Sequence, residues 1–413
     1  MSIESFIVVG GGLSGFTAAI ELASAGHKVT LCEQSARFGG RASTHHQQGY
    51  AMNIGPHGFY RAGVMKQQFD AWGIAYSGKV PVTGAAAYLL SNGERHRFPT
   101  NAVNLLRSRF FSFRDRIRIG QALQKLQKTD PDSHCGQSMQ SWIESNAGSP
   151  AAASLLAALT RVSTYSADLS LLDARAAITQ LQLAFAKSVL YLDGGWETLI
   201  ASLARKAQSM GVELRAESGV TKVYPGAIEL RAGERLAADG IVLAIPPNEA
   251  EHLTGRKLPP RTPARAACLD LGLKRLPPRS ASFALGLDEP AYFSVHSLYA
   301  SRLAPENGAL VQIAKYLDRG SSGTREELER VADVAMPGWR DEVVLSRFLP
   351  EMTVVHAIPE AGRGRPDIDA LKMPRVMIAG DWVGPQSMLA DAAVASGLRA
   401  ARALGVSAAG KAA

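Results

Sequence analysis

The chain has 413 residues, 46% hydrophobic and 20% charged, with 45 Lys and Arg against 37 Asp and Glu for a formal net charge of +8. That balance describes a globular protein long enough for two domains, with nothing that suggests disorder before the last few residues. Three cysteines, Cys32, Cys135 and Cys268, lie far apart without a C-x-x-C pair, which argues against a disulfide framework, a zinc site and a redox dithiol.

The first segment, Ser5-Phe6-Ile7-Val8-Val9-Gly10-Gly11-Gly12-Leu13-Ser14-Gly15, reads as a strand, a glycine turn and a helix running over 16–25. A second strand, Lys28-Val29-Thr30-Leu31-Cys32, ends at Glu33. This pattern suits a dinucleotide. Gly10 permits the tight turn, Gly12 lets backbone approach a pyrophosphate without a Cβ, and Gly15 lets the helix pack closely on the strand. The helix start, with Leu13 and Ser14, points free N–H groups at the phosphates, and Glu33 is placed to accept hydrogen bonds from ribose hydroxyls. A strand beginning within six residues of Met1 leaves no room for a signal peptide, and no apolar run approaches the length of a membrane span. A cytoplasmic protein, still free to touch a membrane surface, is expected.

After Glu33 and Gln34 come Gly39, Gly40, Arg41 and Ala42, a loop suited to pass the pyrophosphate and offer it a guanidinium. The adjacent His45 and His46 lack acids or cysteines at ligand spacing and read as surface residues, so no metal is expected. Gly55-Pro56-His57 forms a rigid corner that can bring backbone against a flat ligand. Residues 101–128 carry Arg107, Arg109, Arg114, Arg116, Arg118, Lys125 and Lys128 against the single acid Asp115, interleaved with aliphatic and aromatic residues. Such a stretch lies on an anionic membrane, or packs its apolar stripe on the core with its arginines solvated; periodicity favours the second reading. No nucleic-acid recognition motif accompanies the charge. The stretch 80–189 reads as largely helical, 266–271 as a strand with Cys268 in the packing and Asp270 as a surface acid, and 325–335 as a helix.

The fingerprint with Glu33, the Gly39-Gly40-Arg41 loop and Asn53-x-Gly55-Pro56-His57 resemble the FAD-binding amine oxidase and phytoene desaturase superfamily of flavoproteins, closer to the desaturase-like branch on the Gly-Pro-His corner. The run from Tyr191 to Leu199, followed by Val220, is similar to the family's central segment, in which the backbone of Val220 would meet the adenine. Val376-Met377-Ile378-Ala379-Gly380-Asp381-Trp382, then Met388-Leu389-Ala390-Asp391-Ala392, resembles its C-terminal flavin segment. The resemblance implies that Asp381 of the Gly380-Asp381 pair reaches the ribityl and phosphate region. It further implies that the helix from Met388 and Leu389 to Ala392 aims backbone N–H groups at the flavin pyrimidine, where negative charge develops on reduction. Ala392 stands where a glycine is common in the family. The implied fold is α/β, a Rossmann-like FAD-binding domain of glutathione-reductase type in the amine oxidase/desaturase subclass, with a discontinuous mixed α+β substrate domain. Residues 1–78, 190–250 and 368–413 would build the FAD-binding domain, and 79–189 and 251–367 the substrate domain.

Neither a second G-x-G-x-x-G nor a C-x-x-C is present, so reduced flavin is expected to pass electrons to oxygen, a quinone or another diffusible acceptor. His57 is a candidate acid, base or cofactor contact, or a structural residue of the corner, and Trp382 a candidate wall of the flavin pocket or a core residue. Lys274 and Lys315 are the nearest candidates for the lysine that amine oxidases place by the flavin, and both read better as solvated strand residues. The leading expectation is an FAD-dependent desaturase or oxidase of a small apolar substrate, an isoprenoid or lipid. A flavin amine oxidase is the alternative, and a flavin-free escort protein for prenylated ligands the reading from another class.

Overall fold

The computed structural model describes residues 3–81 and 86–405; the parts of the expected domain segments at 1–2, 82–85 and 406–413 lie outside the described residues. Apolar runs such as Phe6-Ile7-Val8-Val9 suit strands buried on both faces, and they assemble into a five-stranded sheet. All its pairs are parallel, in the order Glu213–Arg215, Lys28–Cys32, Ser5–Val9, Gly240–Leu243, Val376–Ile378. The first strand therefore sits centrally, with its successors on opposite sides. That reversal opens a crevice at the carboxyl ends of the strands, where ligands bind in such sheets. Helix Leu13–Ser24 crosses the C-terminal helix Leu389–Gly405 closely, since a Cβ on Gly397 would lie 2.6 Å from the Ser14 carbonyl oxygen. The helix begins three residues earlier than its apolar pattern predicts because Gly12, extended at φ −89°, serves as its N-cap.

The second sheet has seven strands, in the order Val343–Val355, Ala264–Leu273, Ala309–Leu317, Ala291–Val295, Phe283–Gly286, Ala87–Ser91, Glu94–Arg97. The period of two sorts its residues into unlike faces. Ala267, Leu269, Leu271, Phe293, Val311 and Ile313 pack under helix Arg325–Ala335, while Ala266, Cys268, Tyr292, Ala314 and Tyr316 face a helical layer around Trp142. Helices Phe113–Lys128, Met139–Asn146, Pro150–Thr164 and Ala174–Lys187 form that layer. The hairpin Ala87–Ser91/Glu94–Arg97 breaks the largely helical stretch; its signal was Asn92-Gly93, both at positive φ as a two-residue hairpin turn demands.

Asp270 departs from expectation. Rather than a surface acid, it is fully buried on the helical side of the sheet, opposite Arg347 in the register. Arg347 Nε donates to Asp270 at 2.9 Å and Gln312 Nε2 donates at 3.0 Å. Burial pushes the carboxyl upward and the Arg347 charge opposes it. Arg347 also donates to the Asn53 carbonyl, which ties this sheet to the strand leading into the Gly-Pro-His corner.

Candidate active site

A cavity of about 560 Å³ opens at the carboxyl ends of the parallel strands. Its wall includes Gly10, Gly12, Leu13, Ser14, Glu33, Gln34, Gly40, Arg41, Ala42, Pro56, His57, Val220, Gly380, Asp381, Trp382 and Leu389, gathered from four separated parts of the chain. The glycines of the fingerprint are required for different reasons. Gly10 has φ +104°, and a Cβ there would meet the Ala244 carbonyl oxygen at 2.5 Å. Gly15 lies outside the cavity wall, and its Cβ would stand 1.9 Å from the Gly10 carbonyl oxygen. Gly12 is different: the nearest protein atom to its Cβ would be 3.8 Å away, so only an occupant of the cavity needs a glycine there.

Glu33 is buried and held by two backbone donors, Gly11 N–H at 2.8 Å and Ser35 N–H at 2.9 Å. A carboxylate offers about four acceptor directions, so two remain for hydroxyls. Arg41, expected to offer its guanidinium to the pyrophosphate, also has partners within the protein. Its Nη1 donates to Asp381 and to the Val354 carbonyl, both at 2.6 Å, and Nη2 donates to Asp381 at 2.9 Å. Of about five guanidinium donors, three are engaged in this way and two remain. Burial would raise the Asp381 carboxyl, but the charge and hydrogen bonds of Arg41 outweigh it and hold the group well below the usual carboxylate range.

Four further expected residues, Met388, Ala392, Gly55 and Trp382, have their places set by packing within the protein. Met388 packs in the helical core and Ala392 is fully buried, and neither lines the cavity; Leu389, Ala390 and Ala393 do. Those three share one helical face, and Ala392 projects from another, so its methyl is no obstacle on the cavity side. Gly55, at φ +74°, presses on the second sheet, where a Cβ would meet Met352 Cε at 2.5 Å, and it leaves Ile54, Pro56, His57 and Gly58 at the wall. Trp382 is 1% exposed, lines the cavity, and donates its indole N–H to the Ile245 carbonyl at 3.2 Å.

His57 Nδ1 donates to the Gly55 carbonyl at 2.9 Å, and the ring lies 4.9 Å from that of Trp196. Burial lowers its pKa, and the charges of Arg41 and Arg347 push the same way. Lys315 pairs with Glu327 beneath helix Arg325–Ala335, and Lys274 follows the end of its strand; among the described residues no lysine lines the cavity. His46 pairs with Glu197 at the surface, and among the described residues no group of three or more His, Cys, Asp or Glu could hold a metal. Sequence reasoning missed Arg365. Its guanidinium donates to the carbonyls of Asp381, Gly384, Gln386 and Ser387 at 2.7–2.8 Å, stapling the loop after the Gly-Asp pair, and burial lowers its pKa to about 10. A residue that serves backbone carbonyls leaves no side-chain motif to read.

A family model described as flavin containing amine oxidoreductase matches residues 13–272, more than half of the chain. The chain belongs to this family. Within the flavin amine oxidoreductases the cofactor is FAD, and the residues present fit it: the open face of Gly12, the free acceptor directions of Glu33 and the helix start at Leu13 and Ser14 supply what its adenosine diphosphate half needs. Over short stretches the chain is 54% identical to an L-amino-acid oxidase of Naja atra across 52 residues, 12% of this chain and 10% of that one. It is 44% identical to a 4,4'-diaponeurosporene oxygenase of Staphylococcus aureus across 53 residues, 13% of this chain and 11% of that one. The matching stretches thus span about a tenth of these relatives' length. A crystal structure of an oxidoreductase from Methanosarcina mazei superposes with a TM-score of 0.76 at 15% identity, covering 96% of this chain and 99% of that one. The chain shares the fold of that oxidoreductase over nearly its whole length.

Proposed function

We propose that this oxidoreductase dehydrogenates a small apolar molecule of the isoprenoid or lipid class. The observation that carries the reading is the division of the cavity wall. Its charged residues, Glu33, Arg41, Glu249 and Asp381, stand with the glycine turns and the Gly-Asp pair, whereas the wall around the corner is formed by Ile54, Pro56, His57, Tyr165, Met352 and Leu389. That end carries no carboxylate, so it offers no countercharge to a cationic amine, whose desolvation would go uncompensated. An apolar carbon skeleton meets no such penalty there.

In this reading Gly12, Leu13 and Ser14 take the pyrophosphate, Glu33 the ribose, Val220 the adenine, and Asp381 with Arg41 the ribityl side. FAD, when bound, accepts the hydride. The protein orients the substrate against Tyr165 and Met352 and excludes water. The escort alternative would leave position 12 free to carry a side chain, and the open glycine there speaks against it.

Anaerobic titration of the yellow protein tests the proposal directly. Prenyl alcohols and other lipids should bleach the oxidised flavin spectrum while primary amines leave it unchanged. Bleaching by amines alone, with peroxide formed on admitting oxygen, would replace the lipid reading with amine oxidation. A colourless protein that fails to take up added FAD would remove both.

A further inference from the structure

The basic stretch does not pack its apolar residues on the core alone. Leu105, Phe111, Ile119, Ala122 and Leu126 are buried and hold helices Ala102–Leu106 and Phe113–Lys128 in place. A second apolar set is left outside: Val103 is 54% exposed, Leu106 58%, Phe113 67% and Ile117 42%. These four are half of the eight large hydrophobic residues exposed among the described ones, gathered within fifteen positions of chain. Val103 and Leu106 share one helical face at i, i+3, and Phe113 and Ile117 another at i, i+4. Arg116 joins the two pairs, since its guanidinium donates to the Leu106 carbonyl and lies 5.8 Å above the Phe113 ring.

Charge surrounds this apolar centre. Residues 103–118 carry five arginines and one acid, a net of +4 out of the chain's +8. The acid, Asp115, is turned onto its own helix cap, accepting from Ser112 Oγ at 2.6 Å. Arg116 bonds backbone carbonyls and Arg118 bonds Gln121 Oε1 at 3.0 Å, so neither is neutralised by these contacts.

We propose that residues 103–118 form a docking surface for an anionic phospholipid membrane, with Val103, Leu106, Phe113 and Ile117 entering below the headgroups and the arginines lying among the phosphates. Exposed aliphatic and aromatic side chains ringed by arginine match that interface, which is apolar a few ångströms beneath a layer of negative charge. A second copy of the chain fits poorly, because a two-fold contact would set arginine clusters against each other. A nucleic acid would leave the apolar centre without a partner. Among the described residues no helix is long and apolar enough to cross a membrane, so the contact lies on the surface.

Co-sedimentation of the FAD-loaded protein with vesicles tests this. Binding is expected to vesicles holding roughly 30% phosphatidylserine and not to pure phosphatidylcholine, and to weaken as salt rises from about 0.1 M to about 0.5 M. Phe113→Ser should lower the partition coefficient about tenfold or more, and Arg114→Gln or Arg109→Gln about fivefold each. The flavin spectrum of each variant reports that it has folded. Equal binding to both vesicle types, or unchanged binding by Phe113→Ser and the arginine variants, overturns the proposal. So does a wild-type dimer in analytical ultracentrifugation that Phe113→Ser converts to monomer, since the patch would then be a subunit contact.

Discussion

Replacing Gly12 by alanine separates the demands of the ligand from those of the fold. A Cβ at position 12 has its nearest protein neighbour 3.8 Å away and the backbone φ is −89°, so the polypeptide accommodates alanine without strain. The remaining effect on the unliganded protein is the change of an N-cap residue, about 1 kcal/mol or less. Bound FAD meets the same methyl where its pyrophosphate should touch backbone. Losing one charge-assisted hydrogen bond to a helix-start N–H costs about 1.5–3 kcal/mol, which raises the FAD Kd about 10- to 150-fold. Gly15→Ala is the contrast: its methyl falls 1.9 Å from the Gly10 carbonyl oxygen, so helix and turn must part. That variant should lose about 1–3 kcal/mol or more even without cofactor. The assay is urea unfolding of the deflavinated proteins beside fluorescence titration with FAD. If Gly12→Ala destabilised the apoprotein as much as Gly15→Ala, or bound FAD as tightly as wild type, the assignment of Gly12 to the pyrophosphate would be wrong.

Asp391 is buried, accepts from Met65 N–H at 2.7 Å, and burial, partly opposed by that bond, raises its pKa from 3.8 to about 6. The folded state therefore holds an extra proton between the two values: the contribution is complete below the unfolded pKa and is lost as pH rises through about 6, up to about 3 kcal/mol in all. Asp391→Asn, whose amide oxygen still accepts from Met65, should be more stable than wild type at pH about 8 and equal to it at pH about 4, and urea midpoints at the two pH values check the sign. Asp270→Ala leaves Arg347 beside a buried position without its partner and should cost about 3–5 kcal/mol. Adding Arg347→Met should restore much of that, and a double variant no more stable than the single one would contradict the pairing. His57, held below the usual histidine range by burial and by Arg41 and Arg347, stays neutral around pH 7. Stopped-flow flavin reduction should therefore be flat near the ordinary imidazole pKa, about 6.5; a limb there that disappears in His57→Gln would show that the ring titrates after all.

The sequence by itself determined the parts whose chemistry is local. Gly10, Gly12, Gly15 and Glu33 announce a nucleotide because turn conformation, helix start and ribose acid lie within thirty residues, and each has a backbone reason that survives without the rest of the fold. The strand Val376–Ile378 and the helix after it were legible from their apolar pattern and from the Gly380-Asp381 pair. Tertiary structure decided everything that depends on which face a side chain takes. Asp270 became a buried charge because strand alternation turned it toward Arg347, and Ala392 left the cavity because helical rotation gave that face to Leu389, Ala390 and Ala393. Arg41 and Asp381, 340 positions apart, became each other's partners, and Arg365 became a staple for a loop that no motif connects to it. Periodicity along a chain reports that a face is apolar, as it does for 103–118. Only the packed neighbours decide whether that face is covered, because burial is a property of the space between elements and not of any one of them.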